Sequence, residues 1–153
     1  MSRPELRLHP DPVLREVCAA VTEFDEALRD LVDDLLAVMY AEEGRGLAAP
    51  QIGVTRRIFA MDAGWKDGAP SPRIFVNPVI VWSAEEVAGE DEGCLSLPDT
   101  PCHVVRPVAI RLRWQEVGGA TREEGFDGFA ARCIQHEIDH LDGRLCLDYT
   151  AAA

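Results

Sequence analysis

The stretch Gln135-His136-Glu137-Ile138-Asp139-His140 decides most of what this sequence becomes. It carries H-E-x-x-H within a run where Phe129, Cys133, His136 and His140 recur at helical spacing. Asp127 is a candidate N-cap for that helix, and Gly143 is a natural stop. Two His four apart stand one above the other on one helical face, so both rings can grip one cation without bending the backbone. Glu137, next to the first ring, is placed to take a proton from water held there. The bland alternative, two histidines four apart by chance, leaves Glu137 without a role.

The motif lacks a third ligand. Zinc peptidases that share it usually find a His or Glu downstream, yet Asp142 and Asp148 are the only carboxylates in the 13 residues after His140. Cys94, in Glu92-Gly93-Cys94-Leu95-Ser96, is the better candidate, at a tight bend between strands. A Cys-His-His set leaves one position of a tetrahedral site for water. A thiolate also softens the site enough to admit Fe²⁺, Co²⁺, Ni²⁺ or Zn²⁺. The competing reading of Cys94 is a small buried hydrophobe. Gly46-Leu47-Ala48-Ala49-Pro50-Gln51 reads by itself as a small-residue turn. Beside a metal it gains a second meaning. Small residues admit a ligand backbone, and the Gln51 amide can donate to a developing oxyanion.

Outward from these segments, Asp11 caps a short helix that opens on Pro12. A longer helix is predicted over about 26–42, with Leu28, Leu31, Val32, Leu35, Leu36 and Met39 forming a core-facing stripe. Strands are predicted at 57–62, 74–76 and 79–82, the last two separated by a break at Asn77-Pro78. One further strand over 104–117 alternates through Val108, Ile110, Leu112 and Trp114, turns at Gly118-Gly119, and pairs with a run to about Phe126. Leu145-Cys146-Leu147 reads as a short closing strand. Strands precede a late helix without β-α-β alternation. The fold class is therefore α+β, with mainly antiparallel sheets packed around the late metal-motif helix, in a single domain of residues 1–153.

Composition narrows the function. A chain of this length buries enough surface to need no disulfides, and five scattered Cys suit a reducing compartment. A net charge of −12 without any Lys/Arg run disfavours nucleic acid and anionic membrane as partners. The N-terminus has no apolar signal region, and no apolar stretch is long enough to span a bilayer, so a cytoplasmic location is expected.

Taken together, Gly44-Arg45-Gly46-Leu47-Ala48-Ala49-Pro50-Gln51, Glu92-Gly93-Cys94-Leu95-Ser96 and Gln135-His136-Glu137-Ile138-Asp139-His140-Leu141 resemble the three signature motifs of peptide deformylases, in the family's order and spacing. The similarity covers about 8–149. The resemblance implies removal of the formyl group from N-formylmethionine at the start of new bacterial polypeptides, with release of formate. It implies one divalent ion, natively Fe²⁺, on Cys94, His136 and His140, with Zn²⁺, Ni²⁺ or Co²⁺ as substitutes. Glu137 would carry protons, and the Gln51 side chain and Leu95 backbone N–H would stabilise the oxyanion. Gly46 would pair its backbone with the substrate peptide, and Glu92 with Arg106 would form a structural ion pair.

Three positions depart from the family pattern. Arg45, Glu90 and Arg132 stand where apolar residues usually border the methionine side-chain pocket. Buried charges need partners, and Glu90 can pair with either Arg. These residues support an alternative expectation: a deformylase-like hydrolase for a different formylated peptide or small molecule, with a polar side-chain pocket. A non-catalytic binding module is disfavoured by the intact Glu137, Cys94 and Gln51. The ribosome is a doubtful partner, because typical members carry a C-terminal helix and only Thr150-Ala151-Ala152-Ala153 follow Tyr149 here. Cys18, Cys133 and Cys146 read as core thiols, and His9 and His103 as loop residues. Asp139 reads as an exposed helix carboxylate, with a role in orienting a ligand ring as the alternative.

Overall fold

The structure, a computed structural model, describes residues 3–151. Helix α1 (Glu26–Ala41) begins where the Asp25 carboxylate accepts from Leu28 N at 3.1 Å. Its apolar stripe buries Leu28, Leu31, Leu35, Val38 and Met39. The helix ends as the chain turns through Glu43 (φ 58°), and Gly44 N donates to Met39 O. The 3-10 turn Pro12–Arg15 is capped by Asp11, as the sequence predicts.

Seven strands follow: β1 (Gly46–Ala48), β2 (Ile58–Met61), β3 (Arg73–Ser83), β4 (Val87–Cys94), β5 (Leu97–Pro107), β6 (Ala109–Gln115) and β7 (Thr121–Asp127). They form a five-stranded sheet in the order β1-β2-β3-β6-β7 and a two-stranded ribbon of β4 and β5, and all their pairings are antiparallel. Helix α2 (Gly128–Leu141) carries the His pair and packs against strands of both sheets. This is the α+β arrangement the pattern of elements predicts. Phe59 stacks on Phe75 with ring centroids 4.9 Å apart, and Trp114 and Phe126 meet Phe75 edge-on. Burying rings of this size stabilises the sheet–helix interface by roughly 1.5–3 kcal/mol each. The Arg73 guanidinium lies over Phe75, Trp114 and Phe126 and forms a two-pronged pair with Glu124. Among the described residues no helix is long and apolar enough to cross a membrane.

Several elements differ from the sequence expectation. The break at Asn77-Pro78 is a bulge inside one continuous strand, with the register shifted between Val76 and Val79. Asn77 adopts φ 49°, a left-handed conformation that Asn tolerates better than most residues. Its side chain accepts from Val21 N and donates to Val21 O and Gln115 Oε1, all within 2.9 Å. The strand expected over 104–117 is two strands in different sheets, divided after Pro107. The inward parity is unbroken across the division: Val104 and Arg106 are buried, as are Ile110, Leu112 and Trp114. Alternation alone therefore conceals it. His103 belongs to β5 and not to a loop, and its Nδ1 lies 3.0 Å from the exposed Asp91 carboxylate. Asp127 precedes α2, but its side chain makes no capping bond.

The expected closing strand at 145–147 is instead the approach to a short helix, α3 (Leu147–Ala151). Asp148 accepts from Leu145 N and is gripped by both Arg15 nitrogens, which winds the segment back toward the 3-10 turn. The described chain thus ends in one short helix, a correction to the expectation of none, and residues 152–153 lie outside the described residues. Cys18, Cys133 and Cys146 are buried thiols.

Asn77→Ala removes three hydrogen bonds and places Ala at positive φ. We expect it to lower the unfolding free energy by about 2–4 kcal/mol. The check is a lower urea midpoint with an unchanged slope.

Candidate metal centre and its pocket

Three donors from two distant segments converge, and two of them, Cys94 and His136, line a cavity of about 900 Å³. Cys94 ends β4, and His136 and His140 stand on successive turns of α2. Their ligand atoms all lie within 4.8 Å of one another, and Cys94 Sγ is 3.4 Å from His140 Nε2. All three residues are buried. One thiol and two imidazoles at this spacing are a donor set for a single divalent ion. His140 Nδ1 and Glu137 Oε1 are buried without a partner.

The environments of these groups differ. Burial pulls His136 toward the neutral form, but Cys94 and Glu92 outweigh it and hold the ring well above its ordinary pKa. Burial and then the neighbouring His136 push His140 well below. A proton and a metal ion compete for the same ring nitrogens. Burial pushes the Glu137 carboxyl up to about 7, with His136 opposing. Burial, then Glu137, pushes the Cys133 thiol well above its usual range, so it lines the pocket as a neutral group.

Glu92 holds the centre from behind. Its Oε1 lies 2.9 Å from His136 Nδ1; with Glu92 ionised, the ring N–H is the donor, which leaves Nε2 free to ligate. Arg106 donates to both Glu92 oxygens, Nε at 2.6 Å and Nη2 at 2.9 Å. Burial would raise the Glu92 pKa, yet Arg106 and His136 overcome it and bring the carboxyl down to about 2. Arg106 Nη1 reaches Asp139 at 2.9 Å, and Tyr149 Oη donates to the same Asp139 oxygen. Asp139 is therefore a largely buried partner of Arg106, which corrects its reading as an exposed carboxylate; its side chain is only 14% exposed.

The cavity's other wall is β1. Strand β1 is an edge of the five-stranded sheet. Arg45 O accepts from Asp62 N, and Leu47 lies opposite Ala60. By the alternation of an antiparallel pair, Gly46 then turns its N–H and C=O toward the open edge. A Cβ at Gly46 would sit 2.6 Å from Glu137 Oε2 and 2.8 Å from Cys133 Sγ, so only glycine lets β1 lie this close to α2. Gln51, in the 3-10 turn Ala49–Ile52, accepts from Ala48 N and donates from Nε2 to Ser96 Oγ at 3.0 Å. Its Nε2 is 3.9 Å from Cys94 Sγ.

Comparison with known proteins gives this geometry its context. The sequence profile described as polypeptide deformylase matches residues 4–153. The chain belongs to the polypeptide deformylase family. It is 44% identical to the peptide deformylase of Phenylobacterium zucineum (strain HLK1) over 149 residues, 97% of this chain and 88% of that one. It is 46% identical to that of Bartonella tribocorum (strain CIP 105476 / IBS 506) over 92% of this chain and 80% of the relative. The crystal structure of the Thermotoga maritima peptide deformylase superposes with a TM-score of 0.92 at 38% identity, covering 97% of this chain and 98% of that one. A Synechococcus elongatus peptide deformylase in complex with actinonin gives 0.92 at 36% identity, covering 95% and 79%.

Within this deformylase fold, Arg45, Glu90 and Arg132 all line the cavity, but their charges are used differently. Arg132 Nε lies 3.0 Å from a Glu90 carboxylate oxygen as an ion pair, and Nη1 donates to Glu92 at 2.7 Å and to Val104 O at 2.9 Å. Its Nη2 donates to Ala88 O at 2.7 Å. Its charge and most of its donors are thus spent inside the protein, as a clamp from α2 to β4 and β5. Glu90 is 66% exposed at the outer end of the clamp. Arg45 forms no ion pair among the described residues; its guanidinium carbon lies 5.2 Å from the Phe129 ring centroid.

Sequence reading missed two residues that position the site. Ser96 takes the Gln51 amide and donates onward to Arg7 O at 2.7 Å. Asp62, fully buried, accepts from Tyr40 Oη and Ser71 N and fixes the chain beside Arg45. Neither has a sequence pattern of its own, although Ser96 closes the quoted Cys94 segment.

Glu92→Ala leaves His136 Nδ1 without its acceptor. We expect roughly a 10–100-fold loss of Co²⁺ affinity in chelator competition. Arg132→Met strands part of a buried charge network. We expect it to lower stability by about 3 kcal/mol in urea unfolding, with Arg132→Lys recovering less than half because Lys lacks the planar fork.

Proposed function

We infer that residues 1–153 act as a single catalytic unit that removes the N-formyl group from the start of nascent peptides and releases formate. One observation carries this reading. A Cys-His-His donor set, with the Glu137 carboxylate and its unpartnered oxygen, adjoins a cavity bordered by the open β1 edge.

The donor set fits a divalent cation, and Cys94, His136 and His140 would hold it. Bound there, such an ion supplies Lewis acidity and makes water a nucleophile near neutral pH. In this reading Fe²⁺ is the native ion, with Zn²⁺, Ni²⁺ and Co²⁺ as substitutes that the same soft donor set accepts. The chain's own groups do the rest. The Gly46 N–H and C=O pair with the substrate backbone, so the peptide lies along β1 as an added strand. This orients the formyl end toward the donor cluster.

Glu137 takes a proton from the attacking water on the carboxylate oxygen that has no partner, then returns it to the departing amine. As charge develops on the formyl oxygen, Gln51 Nε2 and the Leu95 backbone N–H donate to it. Ser96 and Ala48 N hold the Gln51 amide in place beforehand, so little reorganisation is needed during reaction. Access to nascent chains suits a cytoplasmic location, and the acidic surface suits peptide more than nucleic acid as partner. Working on nascent chains brings the enzyme near the ribosome; direct docking is a separate question of binding.

Anaerobically purified, Fe²⁺-loaded protein is expected to release formate from a formyl-Met tripeptide. Glu137→Ala is expected to lose about 10²–10⁴-fold in kcat while retaining one metal per chain. Metal-replete protein that releases no formate from any formylated peptide would rule the reading out.

A further inference from the structure

Residues 7–9 run ahead of the first helical turn, yet their backbone bonds to both segments that carry the oxyanion donors. Arg7 N donates to Gln51 O at 2.7 Å, Ser96 Oγ donates to Arg7 O at 2.7 Å, and His9 N donates to Ser96 O at 2.9 Å. Gln51 belongs to the 3-10 turn Ala49–Ile52, and Ser96 to the turn between β4 and β5 that also contains Leu95. Arg7, Gln51 and Ser96 therefore close a ring: Gln51 Nε2 to Ser96 Oγ, Ser96 Oγ to Arg7 O, and Arg7 N back to Gln51 O. Both Gln51 and Ser96 are buried. The segment is pinned on either side. Leu6 packs on the cluster that contains Ala49 and Ile52, and the 3-10 turn Pro12–Arg15 buries Leu14 in the cluster that contains Cys94 and Leu97. A Cβ at Gly53 would sit 2.9 Å from Arg7 Nη2, so the guanidinium rests against the end of the Gln51 turn.

We propose that residues 7–9 are a positioning strap for the oxyanion donors, acting through the Ser96 hydroxyl on the Gln51 amide. This rests on the deformylase reading above and goes beyond it. A serine hydroxyl has one hydrogen and turns freely about its C–O bond. Arg7 O takes that hydrogen, which leaves Ser96 Oγ to accept from Gln51 Nε2. At the other end of the amide, Ala48 N donates to Gln51 Oε1. Nitrogen and oxygen of the amide are thereby fixed in place. One N–H of Nε2 is committed to Ser96, and the second faces Cys94 Sγ, 3.9 Å away in the donor cluster. Without the strap carbonyl the hydroxyl can donate in place of accepting. The amide that suits such a hydroxyl is turned over, and it presents an acceptor where negative charge develops. His9 N, on Ser96 O, holds the same turn whose Leu95 N–H is the second donor.

The test uses Fe²⁺-loaded protein with formyl-Met-Ala-Ser as substrate. Ser96→Ala removes the bridging hydroxyl, and Arg7→Pro removes the N–H that closes the ring. Ser96→Ala is expected to lower kcat about 10–100-fold, with KM held within about twofold and one metal per chain. Arg7→Pro is expected to lower kcat about 3–10-fold with KM again unchanged, and Arg7→Ala, which keeps the N–H, to recover most of that loss. The double variant Arg7→Pro/Ser96→Ala should fall no more than about twofold below Ser96→Ala, since both changes act on one amide. A segment that merely holds the fold together predicts instead that metal content or KM suffers, or that the two losses multiply. Either result overturns the proposal, as does a wild-type kcat in Ser96→Ala or Arg7→Pro. Amide exchange in the wild-type protein tests the strap even if the variants do not fold. The Arg7 and His9 N–H groups are expected to exchange at least about 100-fold more slowly than in an unfolded chain, and unprotected amides overturn the proposal alone. Wild-type protein that releases no formate overturns the deformylase reading and the proposal with it.

Discussion

The buried carboxylate of Glu92 is the constraint on which the site depends. One side chain accepts from Arg106, Arg132 and His136, which come from two different parts of the fold. Arg106 stands on β5, while Arg132 and His136 are one turn apart on α2. Glu92 itself is on β4, two residues before Cys94. The same contact therefore docks the ribbon on the helix and sets the tautomer of one ligand ring. A lone buried carboxylate would be prohibitively costly; two guanidinium groups and a ring N–H make it affordable. The chain of alternating charges runs from exposed Glu90 through Arg132, Glu92 and Arg106 to Asp139, and ends at the Tyr149 hydroxyl.

A second constraint is the closeness of β1 to α2. Gly46 meets Glu137 and Cys133 at distances no side chain would permit. That contact brings an open strand edge, the buried Glu137 carboxylate, Cys94 and His136 around one cavity. The surrounding hydrogen bonds are directed at keeping it so: Asp62 to Arg45 O, Trp65 Nε1 to Gly44 O, and Gln51 to Ala48 N and Ser96. The strand and turn are tied at backbone groups, Gly44 O, Arg45 O and Ala48 N, and the helix is tied through the paired side chains of Arg132 and Arg106. Preorganised donors of this kind lose little free energy to reorganisation when charge develops.

How much of this was legible beforehand depended on how local the cause is. The α1 stripe and the His pair on α2 follow from helical spacing within a few residues, and both helices lie where that spacing puts them. Strand β4 had no such signal: Gly89, Glu90, Asp91 and Gly93 are poor strand formers, and the strand exists because β5 pairs with it along its length. The division after Pro107 was invisible because inward parity carries through it. The bulge at Asn77 looked like a stop because its compensation comes from Val21 and Gln115, far along the chain.

By itself, the sequence determined the chemistry available: which residues can ligate, which can carry a proton, and that both rings share a helical face. Those are properties of residue type and of a 3.6-residue repeat, which need no partner. Tertiary structure alone decided that Cys94, 46 residues before His140, comes within 3.4 Å of it. It also decided that Arg132 is paired with Glu90 and Glu92 while Arg45 forms no ion pair among the described residues. Ion pairing falls off over a few ångströms, so it depends on which strands the fold brings alongside, and no spacing along the chain encodes that distance.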